Sequence, residues 1–259
     1  MGFKVPYHVV GKVYDTEYSG KCTVVEYIDN ANVVVKFHYP ECYVRCRMHH
    51  LKRGGVKNPL SPRVYGKGYL GVGKYQAEDK RYYKPWHRML ERAYSESWSK
   101  AHPHYEGVSV CTEWYNFQNF AAWCDTQEFF DEEDDRFRKY ELDKDILVKG
   151  NKIYSPDTCS FVPKDLNVLL INSDKTRGVL PVGVSIYKKT GKFKAGVCLY
   201  GKPKHIGYYK TPEEAFQSYK TTKESYIKEV AESWKGKIDD EVYRALKYYS
   251  VDISDWYCF

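Results

Sequence analysis

The sequence predicts an α+β protein built from several small domains: a small N-terminal β-barrel, central helices with a ββα module, and a C-terminal three-stranded sheet packed on a helix. Three observations lead there. Apolar residues alternate with period two through residues 9–48. From Asp79 the spacing changes to that of a helix. Period two then returns after Val182 and stops at Thr211-Pro212-Glu213-Glu214, a strong helix start. At 259 residues the chain exceeds the usual size of one core, so the expected domains are 1–62, 63–176 and 177–259.

The first domain reads as four strands, VVGKVY, CTVVEYI, VVVKFHY and CYVRCR, with a turn at Asp29-Asn30-Ala31-Asn32. The Gly/Pro-rich stretch RGGVKNPLSPRVYGKGYLGVGK, from Arg53 to Lys74, reads as a linker with a boundary near Arg63. Trp86, Met89, Leu90, Ala93 and Tyr94 then fall on one helix face, and Trp114, Phe117, Ala121 and Cys124 on another. Those aromatics read as core rather than as stacking surfaces. Tyr140 to Leu170 reads strand, loop, strand, helix. The last domain has three strands, VGVSIYKK, KFKAGVCLYG and KHIGYYK, with turns at Thr190-Gly191 and Gly201-Lys202. Its helix is expected to turn Ala215, Phe216, Tyr219, Tyr226, Ile227 and Val230 to the sheet. Val184, Ile186, Phe193, Ala195, Val197 and Leu199 should meet it, leaving Ser185, Tyr187, Lys194, Cys198 and His205 on the open face.

A mean hydropathy of -0.66 and the lack of any apolar run near the roughly 18 residues of a bilayer span exclude a membrane protein. The start, MGFKVPYHVV, has no secretory signal, so a cytoplasmic location is expected. Eight scattered cysteines without a CxxC pair suggest neither a disulfide framework nor a zinc ribbon. Cys42, Cys46, His49 and His50 supply zinc-binding atom types without zinc-binding spacing.

The net charge of +7 is unevenly spread. Tyr43 to Ala77 holds eight Lys or Arg and no carboxylate, and Val182 to Lys210 holds seven lysines and none. Segregated positive charge of this kind is what phosphate binding requires. Glu128 to Asp135, EFFDEEDD, gathers six acids and would repel phosphate unless it meets a metal or a basic partner.

The segment LPVGVSIYKKTGKFKAGVCLYGKPKHIGYYKTPEEAFQSYKTTKESYI, residues 180–227, resembles the apetala-type, or ethylene-response-factor, DNA-binding domain. Its most specific parts are Val182-Gly183-Val184, HIGYY and TPEEAFQSY. The resemblance implies that double-stranded DNA is read by the sheet through Ser185, Tyr187, Lys194 and His205; Lys188 and Lys192 are expected on phosphates, and Lys204 is a further expected DNA contact. The family places arginines where this chain has Ser185 and Cys198.

Upstream, LDKDILVKGNKIYSPDTCSFVP is similar to a variant HNH module of phage homing endonucleases, a match carried by Asp143, Lys144, Gly150, Asn151, Tyr154, Ser155, Pro156 and Cys159. The resemblance implies a divalent Mg or Mn ion held by Asp143, with Asn167 as a further ligand. The catalytic base position is occupied by Lys144, and an ammonium cannot accept a proton from water. Two functions are therefore expected. One is a phage-type DNA-binding protein resembling an HNH homing endonuclease, acting in the bacterial host cytoplasm. The other is a catalytically inactive factor that binds nucleic acid or a host protein or nucleoprotein, such as a regulator or an inhibitor of a host defence system.

Overall fold

The computed structural model describes residues 9–134, 136, 138–170 and 180–253; the expected boundary at 176–177, and Asp135, lie outside them. The chain divides into two compact units, Met1–Ala101 with Val110–Trp123, and His102–Ser109 with Cys124–Phe259.

In the first unit β1 (Val13–Thr16), β2 (Gly20–Asp29), β3 (Asn32–Phe37) and β4 (Cys42–Cys46) form an antiparallel meander in chain order. The Asp29 carboxylate fixes the β2–β3 turn by accepting the backbone N–H of Ala31 at 2.7 Å and of Asn32 at 2.9 Å. Alternation buries Cys22, Val24, Val33, Val35, Phe37 and Cys42 on one face.

The expected barrel is not closed. β1 and β4 are the two edges of an open sheet, and α1 (Met48–Lys52) covers its apolar face with Met48, Leu51 and the following Val56. Once that face is out of water, a β1–β4 ladder has little left to bury.

The stretch that reads as a linker is packed. Asn58 is buried, donating its amide to the Pro40 carbonyl at 2.7 Å, and the Tyr69 N–H donates to the Tyr115 carbonyl at 2.8 Å. Gly68 passes so close to α2 (Lys80–Tyr94) that a Cβ there would lie 2.4 Å from Leu90 and 2.9 Å from Trp86. Its glycine serves close approach rather than flexibility. Trp86, Met89 and Leu90 are buried as their spacing predicts, and Trp86 Nε1 donates to the Trp114 carbonyl at 2.7 Å. α3 (Glu96–Ala101), β5 (Ser109–Val110) and α4 (Phe117–Cys124) follow; Trp114, Phe117, Phe120 and Ala121 are fully buried.

The second unit begins its ordered core with β6 (Glu141–Asp143), β7 (Ile153–Tyr154), β8 (Ser160–Val162) and α5 (Lys164–Leu169). β6 pairs antiparallel with β8, and α5 follows directly, the strand, strand, helix order the sequence suggests. Next come β9 (Val184–Tyr187), β10 (Lys192–Leu199) and β11 (Lys202–Tyr209), ordered β11-β10-β9, then α6 (Pro212–Ser233) and α7 (Asp240–Lys247). The capping box is formed: Thr211 Oγ1 accepts the Glu214 N–H, and the Glu214 carboxylate accepts that of Thr211.

Two expectations about α6 are corrected. The apolar face of its first half, Ala215, Phe216 and Tyr219, packs on the sheet with Val182, Val184, Ala195 and Val197, and farther along the helix Tyr226 reaches the sheet only at the β10–β11 turn, where its hydroxyl accepts the Tyr200 N–H at 2.9 Å. Tyr226, Ile227 and Val230 join a second core with Val162 and Leu166 of the ββα module and Val242 and Leu246 of α7. A helix of this length, about 33 Å, outruns a three-stranded sheet, so its apolar stripe needs a second partner. Ile186 is also released: it is 55% exposed, at the end of an edge strand beyond the reach of α6.

Gly183 gives the opening of the last sheet a physical explanation. Its φ is +76°, and a Cβ there would lie 2.1 Å from the Tyr219 ring. Gly183→Ala should therefore cost about 2–4 kcal/mol, combining backbone strain with displacement of a buried ring. Urea denaturation measures this; a variant as stable as the wild type would show that Tyr219 does not rest on this glycine.

Candidate nucleic-acid interface

The C-terminal sheet turns one face to α6 and leaves the other open. Register places Ser185 and Tyr187 opposite Lys194 and Lys192, so these four share the open face with Cys198. On the far side Lys194 pairs with Tyr208 and Gly196 with His205, with a bulge between.

The bulge decides the surface. His205 and Tyr208 are three residues apart and would sit on opposite faces of a regular strand, but the extra residue at Ile206 puts both on the open face. Their rings are 4.5 Å apart, and Tyr208 meets Tyr187 of the opposite outer strand at 4.8 Å. The two tyrosines thus reach toward each other over β10. Tyr208 is absent from the set the sequence singles out; the signal for it is Gly207 inside HIGYY, a glycine where a strand bulges.

The other expected DNA contacts divide. Lys188 is exposed just past the end of β9, and Lys192 is exposed at the start of β10. Lys204 pairs with Val197, whose side chain is buried against α6, so it belongs to the helix-bearing face at the edge strand. No carboxylate lies between Val182 and Lys210.

In the ββα module Asp143 ends β6 and is 8% exposed. Its Oδ1 accepts the N–H groups of Asp145 at 3.0 Å and Ile146 at 2.7 Å, holding the turn that follows the strand. Burial, with the Asp145 charge adding to it, pushes the Asp143 carboxyl up to about 6, against the pull of the two amides. Lys144 is also buried, and its Nζ donates to Asp145 at 2.8 Å and to the Asn151 carbonyl at 3.0 Å. Asn151 returns the bond through its amide to the Lys144 carbonyl at 2.6 Å. These motif residues therefore knit the β6–β8 connection. Asn167 donates to Glu141 at 3.2 Å, two strand positions before Asp143.

The acidic run is folded onto its own basic neighbours. Lys139 Nζ lies 3.1 Å from both Asp131 and Glu133, while Arg138 lies 2.6 Å from Asp134 and 2.9 Å from Asp165. Its expected use as an open docking point for a basic partner is thus weakened at three of its carboxylates. Cys42 and Cys46 share the core side of β4, where burial pushes both thiols up, and His49 and His50 sit exposed on α1. Among the described residues no group of three or more His, Cys, Asp or Glu is placed to hold a metal ion. No described helix is long and apolar enough to cross a membrane.

Comparison with known protein families, with curated proteins and with solved structures finds no match for this chain. Function has to be argued from the surfaces themselves.

The raised Asp143 acid constant makes a pH prediction. The folded state holds its proton to about 6, the unfolded chain only to about 4, so the folded state binds more protons in that window. Its contribution to stability is complete below pH ~4 and is lost as pH rises to ~6. Asp143→Asn keeps an acceptor for the two amides and removes the titration. The stability gap between variant and wild type, from urea titrations, should therefore move in the variant's favour across that interval. A gap independent of pH would mean Asp143 is ionised at the same pH folded and unfolded.

Proposed function

We propose that this chain is a DNA-binding protein that lays the open face of its C-terminal sheet in the major groove. The observation that carries the reading is that face itself: Tyr187, His205 and Tyr208 in contact, Lys192 and Lys194 between them, and no carboxylate in the three strands. Three strands about 4.8 Å apart span roughly 10 Å, which the major groove, about 12 Å wide, admits. α6 closes the opposite face, so the backbone of the reading surface is already ordered before binding and only its exposed side chains have freedom left to lose. Lysines supply phosphate attraction; the aromatic cluster and Ser185 supply contacts to base edges and thymine methyls.

The ββα module serves in this reading as a scaffold behind the sheet, joined to it through α6. Asp143 and Lys144 are buried and committed to the local turn, which favours a non-catalytic role. A second reading rests on the order β6, β8, α5: a phage-type homing endonuclease whose module uses Mg or Mn. Incubation of the full chain with supercoiled plasmid and Mn²⁺ separates the two. Cleavage that disappears in Asp143→Asn supports the nuclease, and intact plasmid supports the scaffold.

Binding is tested by fluorescence anisotropy on duplex DNA across a salt series. Lys188→Ala with Lys192→Ala should weaken all sequences alike and flatten the log–log salt slope by about 1.8, at about 0.9 per phosphate contact. Tyr187→Ala and His205→Ala should each cost about 1–3 kcal/mol and change which duplex is preferred. Wild-type binding that none of these changes reduces would remove the sheet as the interface.

A further inference from the structure

The first unit carries an open groove of about 420 Å³ along β4 and the turn into α1, walled on the far side by Gly55, Val56 and Lys57. Arg45, Arg47, His50 and Lys57 line it, all exposed, and no carboxylate does. We propose that this groove is a second nucleic-acid contact that takes the phosphodiester backbone of a strand.

The argument begins with which charges are already used. Some basic side chains of the unit are paired, Lys36 with Glu41 at 2.9 Å and Arg81 with Asp79 at 2.6 Å. Arg45, Arg47 and Lys57 form no ion pair with any described residue, although they share one cleft. Their own stretch of sequence offers no counter-charge, since Tyr43 to Ala77 contains no acid. Like charges gathered without a counter-charge disfavour the free protein slightly and attract a polyanion strongly. The local field acts on the adjacent helix too: loss of solvent, then His50, Arg47 and Arg53, hold His49 below the usual histidine value.

The shape and composition favour a nucleic-acid strand over other anions. Arg45 and Arg47 present planar guanidinium forks, the geometry that grips phosphate through two hydrogen bonds at once. Ala31 and Gly55 at the rim add little bulk, so a sugar-phosphate chain can approach the backbone. Tyr43, two residues before Arg45 and on the same face of β4, is 58% exposed. A cationic track with an exposed aromatic ring beside it is how strands are held without regard to sequence. The site lies on the other unit from the C-terminal sheet, so it stands or falls separately from the reading of that sheet.

The test uses the full chain with a fluorescent single-stranded oligonucleotide and its duplex. The triple variant Arg45→Ala, Arg47→Ala, Lys57→Ala should lose about tenfold in affinity at low salt and lower the salt slope by roughly 2–3, at 0.7–0.9 per phosphate. Its melting temperature should not move, because all three side chains are exposed; should it unfold, Lys57→Ala alone carries the test with a slope change of about 0.9. Arg45→Lys with Arg47→Lys should keep the slope. A triple variant that binds like the wild type overturns the inference, as does displacement of oligonucleotide by polyglutamate at equal charge. Loss in the triple variant, with none in Lys188→Ala, Lys192→Ala, upholds the groove and removes the sheet as the interface. The reverse pattern upholds the sheet and removes the groove.

Discussion

The apolar stripe of α6 is the constraint on which the second unit depends. It runs through Phe216, Tyr219, Ile227 and Ala231, and no single partner in the chain is long enough to cover it. Its first two turns close the three-stranded sheet; its last turns close β8, α5 and α7. Each fully buried aliphatic side chain there is worth about 1.5–3 kcal/mol, so separating the sheet from the ββα module would uncover Ile227, Val242 and Leu246 at considerable cost. Lys223 sits in the middle of the stripe and is held below the usual lysine value by burial; its ammonium donates to the Leu169 carbonyl at the end of α5. A polar bond therefore marks the seam where the helix passes from one partner to the other. Lys220 and Glu224 bind Ser250 and Val251 beside it, fastening the chain that leaves α7.

The same helix sets what the sheet can present outward. With one face sealed by α6, every residue of opposite parity is committed to solvent or to a partner. Two local devices modify that rule. The bulge at Ile206 moves His205 into register with Tyr208, concentrating three aromatic rings in one place. The finite width of the helix leaves Ile186 bare at the sheet edge, an apolar group beside a cationic face.

Charge is distributed by a comparable division. Asp131, Glu133 and Asp134 are consumed by Arg138 and Lys139, and Asp143 by two amides, so these negative groups are occupied with holding the fold. The lysines of β10 and β11 and the arginines of and just after β4 form no ion pair among the described residues. In the proposed reading, attraction for polyanions follows from what is left unpaired more than from the modest net charge of +7.

Sequence alone determined what local chemistry can determine. Alternation gave the four N-terminal and three C-terminal strands, helical spacing gave the buried face of α2, and Thr211-Pro212-Glu213-Glu214 gave the start of α6. It also gave Tyr187, Lys194 and His205 as residues of one open face, since parity within a strand is a local property. Tertiary structure decided the rest. Whether the first sheet closes depends on α1 covering it, which no period-two pattern records. Whether Gly68 means flexibility or contact depends on Trp86 and Leu90, which are distant in sequence. Which core receives Ile227, and whether Lys204 lies on the open face or the α6 face, depend on a strand register with a bulge and on a helix shared between two layers. The physical reason is common to these cases: periodicity says which side chains must leave water, but only the arrangement of distant segments says what they meet when they do.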